Sequence, residues 1–360
     1  MSFLELHLIQ NIAPANLNRD DTGSPKDAVF GGVRRARISS QALKRAMRRH
    51  LTERLPADQL ATRTKRVGEL VAKKLAHRPA AEVELAVSRL FETAGIGIEK
   101  AKGKAGEDTA FRSSYLLFLG DDEATKIAAL AETHWELLIS AKPDLGKIKR
   151  EAVAALSSTA VDIALFGRMV ADLPETNVDG ACSVAHAIST HRLEAEFDYF
   201  TAMDDLSRPS ESGAAMIEST GFNSACFYRY AAIDLGEIAG RIGDERLRAS
   251  IGDILDAAII PLPTGKQHSF AAHNLPAYVV AVVRDEAPIS IANAFAAPVR
   301  PSAEHDLVAG SVAALIAHRA EIAAMYGSRG ERLVAVAGLP SLPGVTGSLE
   351  EIKRAIAEIL

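Results

Sequence analysis

Residues 17–49 read LNRDDTGSPKDAVFGGVRRARISSQALKRAMRR, a polar stretch punctuated by glycine that passes into a helical pattern. Ser39 or Ser40 offers an N-cap, and the following QALKRAMRRHLTERL predicts a helix to about Leu55. Leu43, Met47 and Leu51 recur at one-turn intervals and define its buried stripe, so Lys44, Arg45, Arg48 and Arg49 share the opposite face. Upstream, Phe3–Gln10 alternates Phe3, Glu5 and His7 against Leu4, Leu6 and Leu8, which predicts a short strand. Between the two lies a stretch with Pro14, Gly23, Pro25, Gly31 and Gly32 that reads as a loop.

Working outward, residues 58–156 carry helical segments rich in Ala, Leu, Lys and Glu, interrupted by EKAKGKAGEDTAF (99–111), too polar and glycine-rich to pack. Strand patterns return with VDIALFGRM (161–169), ACSVAHAISTH (181–191) and GFNSACFYRYAAIDL (221–235). A helix near 244–259, the loop PLPTGKQHSFAAHNLP, a strand over 277–285, a helix over 304–326, a strand over 332–336 and a final helix over 348–360 complete the chain. With 58–156 set aside, the order β–α–β–β–β–α–β predicts an α+β fold with a ferredoxin-like core, an antiparallel sheet covered on one face by helices.

The 360 residues carry a net charge of −5, yet 19–54 holds ten cations against four carboxylates, a local +6 that leaves −11 for the rest. Such asymmetry points to an anion-binding surface, with a solvated charged face as the plain alternative. No run approaches the roughly 18 apolar residues of a membrane span, and MSFLELHLIQ lacks the basic start of a signal peptide. Cys182 and Cys226 lack metal-site spacing and read as buried thiols in a reducing cytoplasm.

Arg34, Arg35 and Arg37 precede a helix start, where the dipole already disfavours cations unless an anion sits among them. Helix-start amides, Ser39, Ser40 and Gln41 as neutral donors, and a second row of Lys44, Arg45 and Arg48 would hold phosphates. No GxxxxGK[ST] is present, which excludes a P-loop. A row of point contacts suits a polyphosphate backbone better than a single nucleotide. A structural ion-pair cluster remains the competing reading.

The blocks LNRDD, KDAVFGG, RRARISSQALKRAMRR, VDIALFGRM, DGACSVAHAISTH, FTAMDDL, FYRYAAIDL, GKQHSFAAHNLP and ISIANAF closely resemble the CasC family, backbone subunits of the type I-E CRISPR Cascade surveillance complex. The matching blocks span the first 50 residues and most of 160–300. The resemblance implies a modified RNA-recognition-motif palm over 1–57 and 157–360, a helical finger over 58–156, and a protruding thumb within 191–223. It also implies copies that polymerise along CRISPR RNA in the cytoplasm with other Cascade subunits. The guide is then left free to pair with target DNA, with no cofactor and no catalytic centre. Carried onto matching positions, Arg19, Lys26, Ser39, Gln41, Lys44, Arg45 and Arg48 contact guide phosphates, Met169 packs against bases, and Ser40, Arg168, Lys266 and His268 join the RNA-facing set. Phe197, Tyr199, Phe200 and Met203 beside the loop RPSESGAAMIES offer a partner surface or a local core. The chain lacks the aromatic-rich strand of the usual RNA-recognition motif. Lys142, Lys147, Lys149 and Arg150 form a basic end to the finger that reads as a solvated surface or a duplex DNA contact.

The alternative from another class is a metal-dependent ribonuclease cutting target RNA through Asp20 and Asp27, with Asp21 nearby. Aspartates in turns routinely serve local hydrogen bonds instead. His186 and His191 fall on opposite faces of a regular strand, which makes them poor co-ligands. His268 and His273 flank a loop containing Lys266 and could serve as general acid and base; phosphate contact from Lys266 and His268 outranks that role, and without the resemblance a plain surface loop outranks both.

Overall fold

The computed structural model describes residues 2–99, 112–202, 216–303 and 305–360. The polar stretch 100–111, Met203 and most of the loop over 208–219 therefore lie outside the described residues. The chain divides into two compact units, one of 1–50, 183–235 and 248–360, the other of 51–182 and 236–247. The second unit runs past the boundary at 157 expected from the sequence and takes in a separate later segment.

The first unit is built on strands β1 (Phe3–Ala15), β2 (Asp27–Phe30), β3 (Val33–Ile38), β4 (Ala187–Ser189), β5 (Glu196–Ala202), β6 (Met216–Asp234), β7 (Tyr278–Arg284) and β8 (Glu331–Gly338). The hydrogen-bonded path runs β8-β7-β1-β6-β4-β3-β2, and β5 pairs with β6 off that path. All these pairings are antiparallel, with Phe3 opposite Asp234 on one side of β1 and Arg284 on the other. β1 is paired along both edges and also covered on both faces, so that Glu5 and His7 are buried with Leu4, Leu6 and Leu8.

A charge chain satisfies the buried polar face: Arg284 Nε donates to Glu5 Oε1 at 2.6 Å, and the His7 ring lies 3.3 Å from Glu5 and 2.9 Å from the Tyr228 hydroxyl. That same face carries Ile9, Tyr228, Val280 and Val282, packed against Phe295, Val312 and Leu315. Val312 and Leu315 come from a 20-residue helix, Leu307–Tyr326. This helix is long and apolar enough to cross a membrane by length and composition, an exception to the expectation that no such run exists. Only Ser311, Val312 and Leu315 of it are buried, so packing on the sheet covers a small part of its apolar surface.

The loop expected between the first strand and helix is in fact the hairpin β2–β3. Gly31 and Gly32 both take positive φ, the conformation a two-residue hairpin turn needs. A Cβ on Gly31 would lie 1.7 Å from the Ala296 carbonyl oxygen, so no other residue fits there. Arg35 on β3 is fully buried, its guanidinium donating to the carbonyls of Ser189, Thr190 and Phe295 at 2.8–3.0 Å. It is therefore a structural strut, contrary to its expected place in an anion-binding row.

The second unit packs helices around Val87, Phe91, Leu119, Ile127, Trp135 and Leu138. Here VDIALFGRM corrects the expectation of a strand: Val161–Phe166 is helical, closed by Gly167 at φ 79. Val161 through Leu165 are all buried, and a short run buried all round has no period by which helix and strand differ.

Candidate nucleic-acid interface

Helix α1 (Ser40–Thr52) presents the expected cation row. Leu43, Met47 and Leu51 are buried, and Leu43 joins Ile38, Ala187 and Phe227 in one apolar cluster, which fixes the rotation of α1 on the sheet. Arg45 is left exposed, with Lys44 and Arg48 half-buried beside it.

The helix start is held from two sides. Ser39 caps it, accepting from Ala42 N at 3.3 Å through its hydroxyl and from Leu43 N at 3.1 Å through its carbonyl. Ser39 is itself buried, so the expectation that it faces RNA gives way to a capping role; Ser40 and Gln41 are the more exposed neutral donors. Asn18 Oδ1 accepts from Ser39 N at 2.8 Å while its carbonyl accepts from Lys26 N at 2.9 Å. Asn18 thereby ties the helix start to the turn bearing Arg19, which is exposed, and Lys26, which is half-buried.

His186 also reaches this place. Its Nδ1 is 3.3 Å from both Ser40 N and Arg37 Nη1. Partial burial, then the charges of Arg37 and Lys26, hold its imidazole below the ordinary histidine value. Nothing in the sequence pattern marks Asn18 or His186 for the start of α1. His186 lies far from α1 along the chain, and only the β3–β4 pairing brings it there.

Asp20 and Asp27 are occupied. Asp20 accepts from Thr22 Oγ1, Thr22 N and Ser24 N at 2.7–3.0 Å, and these bonds, led by the Thr22 hydroxyl, hold its carboxyl below the usual range. Asp27 pairs with Arg34 at 2.5 Å. Among the described residues no three His, Cys, Asp or Glu side chains gather as a metal site.

Lys266 is half-buried at φ 46, its ammonium 2.5 Å from the Thr220 hydroxyl, while His268 is exposed. The loop can pack only because residue 265 is glycine, where a Cβ would stand 2.3 Å from the Leu17 carbonyl oxygen. Gly265→Ala is expected to lower stability by about 1–3 kcal/mol, as overpacking typically does, read as an earlier urea midpoint. An unchanged midpoint would show that the loop is free to move off residues 16–17.

Arg168 departs from its expected role. It is buried in the second unit, donating to both Glu123 oxygens at 2.6 and 2.8 Å and to the carbonyls of Leu156 and Thr176 at 2.9 and 3.0 Å. Its neighbour Met169 is 83% exposed, so it is no core methionine. Phe197, Tyr199 and Phe200 on β5 are exposed as well. In the second unit, Lys142, Lys149 and Arg150 are exposed and Lys147 pairs with Asp144.

These elements define a mixed helix-and-sheet chain with an antiparallel sheet and a row of cations on one helix. The chain belongs to the CT1975-like protein family, a Cas family whose model matches residues 4–359. Among solved structures it is similar to a chain of a CRISPR RNA-guided surveillance complex in a pre-nicking state, at 30% identity and TM-score 0.82, covering 99% of each chain. A chain of a second CRISPR RNA-guided surveillance complex is 26% identical with TM-score 0.74, covering 99% of this chain and 100% of that one. No curated protein matches.

Proposed function

We propose that this protein is a non-catalytic, RNA-binding structural subunit of a type I-E CRISPR effector complex, polymerising in the cytoplasm along CRISPR RNA and presenting the guide to target DNA. The observation that carries the reading is the row Lys44, Arg45 and Arg48, fixed outward by Leu43 and Asn18, in a chain alignable end to end with subunits of CRISPR RNA-guided surveillance complexes. Backbone contact without base readout is what any-sequence guide binding requires, since pairing supplies the sequence. The strand order β7-β1-β6-β4 supports reading the sheet as a ferredoxin-like palm. The exposed aromatics of β5 suit a thumb that meets a neighbouring copy, and exposed Met169 suits a wedge under varied bases.

The test is to express the protein with the other subunits and a repeat array, purify it, and sequence the bound nucleic acid. Short repeat-derived RNAs are the expected result. Their absence from a folded, assembled preparation would overturn the reading. Incubation with matched RNA and Mg²⁺ should leave that RNA intact; regular fragments lost on Asp20→Ala or Asp27→Ala would establish the ribonuclease instead.

A further inference from the structure

The His186 ring holds an acceptor nitrogen against two donors, and that arrangement decides which proton it carries. Ser40 N and Arg37 Nη1 both stand 3.3 Å from Nδ1, so Nδ1 is unprotonated and the ring proton sits on Nε2. The Ser40 amide opens α1 and has no partner within the helix. Arg37 spends its Nε on the Asp27 carbonyl at 2.9 Å, leaving Nη1 for the imidazole. The groups facing the ring are therefore Arg37 from β3, Lys26 from the segment entering β2, and the Ser40 amide from α1, all of which repel a proton. No described carboxylate pairs with it. A neutral imidazole nitrogen occupies a place where an anionic oxygen would be better served by every neighbour.

We propose that His186 is a further phosphate-binding residue of the α1 interface, taking up one proton as an RNA phosphodiester replaces its Nδ1 as acceptor for Ser40 and Arg37. The inference rests on the guide-binding reading above and deepens it. When the phosphate oxygen arrives, it relieves the cation–cation repulsion and releases Nδ1. Solvent then supplies a proton to Nδ1, and the resulting imidazolium donates to the phosphate. The free ring binds a proton more weakly than the complexed ring, so affinity rises as pH falls through the complexed value and levels off below the free one.

The test measures binding of a short single-stranded RNA to the full-length protein at constant ionic strength between pH 7.5 and 6.0. His186→Asn keeps an acceptor near the Nδ1 position and cannot titrate. Wild-type affinity is expected to rise about three- to tenfold across the interval, since one proton contributes at most tenfold per pH unit, and the variant's change should stay within about twofold. Calorimetry at pH 6.5 in two buffers of different ionisation enthalpy should show proton uptake by the wild type and almost none by the variant. Equal pH slopes, or equal uptake, would overturn the inference while leaving RNA binding in place. Failure of the wild type and the variant alike to bind RNA at both pH values would overturn the guide-binding reading together with it. Replacing chloride by inorganic phosphate should lower affinity only mildly and keep the slope. A slope erased by phosphate would mean that the site belongs to the free anion and not to the RNA backbone.

Discussion

Arg168→Met should destabilise the helical unit by about 3–5 kcal/mol, the usual result of removing one partner of a buried ion pair. Glu123 would lose its counterion in a place where both side chains are almost wholly out of solvent and burial already raises its pKa, so it must either stay charged without a partner or take up a proton, each at a cost. Combining Arg168→Met with Glu123→Leu should restore part of the loss, because neither half then leaves an unpaired charge. The recovery stays incomplete, since the carbonyls of Leu156 and Thr176 also lose their donor. Denaturation midpoints of the two single variants and the double variant measure the coupling. RNA affinity of the still-folded Arg168→Met protein should match the wild type at low temperature. A selective loss of RNA binding with unchanged stability would return Arg168 to the RNA-facing set that its neighbourhood in the sequence implied.

Arg168 illustrates how sequence and fold part company in this chain. Helix α1 and its outward cations were legible because Ser39, the Leu43–Met47–Leu51 spacing and the row of bases all agree. The helix Asp244–Ile259 and the strand Tyr278–Arg284 follow their patterns equally closely. What the residues alone did not reveal falls into three physical kinds. The hairpin β2–β3 was signalled by Gly31-Gly32 between extended residues, but its strands are short and Arg-rich, and their burial comes from partners far along the chain. In the helix Val161–Phe166 every residue from Val161 to Leu165 is buried, which erases the period that would reveal a helix. Arg35 and Arg168 read as surface cations because charge in a sequence says nothing of carbonyls gathered by the fold: five acceptors converge on Arg35 from three separate segments. The same blindness hid His186, whose position at the start of α1 exists only through strand pairing. The arginine-rich opening thus divides between a buried strut, Arg35, and cations that reach the surface, such as Arg19 and Arg45, a division that no local pattern carries.

That division gives the interface its sharpest consequence. Replacing Lys44, Arg45 and Arg48 together by Ala should lower single-stranded RNA affinity on the order of 50-fold at 0.15 M salt. The estimate follows from the dependence of about −0.7 log units per phosphate neutralised on a single strand, three contacts together shallowing the slope by about 2. Sequence preference should not change, because contacts to phosphates carry no base information. Stability should fall little: Leu43, Met47 and Leu51 still seat the helix, and alanine is the best helix former. Titrations of the same RNA across several salt concentrations separate the outcomes. A uniform loss with an unchanged slope would mean that the three residues shape the surface without meeting phosphates. A slope change of only one contact would reduce the row to a single phosphate site and leave the rest of it as solvated charge. The full change, in a protein that melts like the wild type, is what a helix face committed to an RNA backbone requires, because only counterions released from the nucleic acid set that slope.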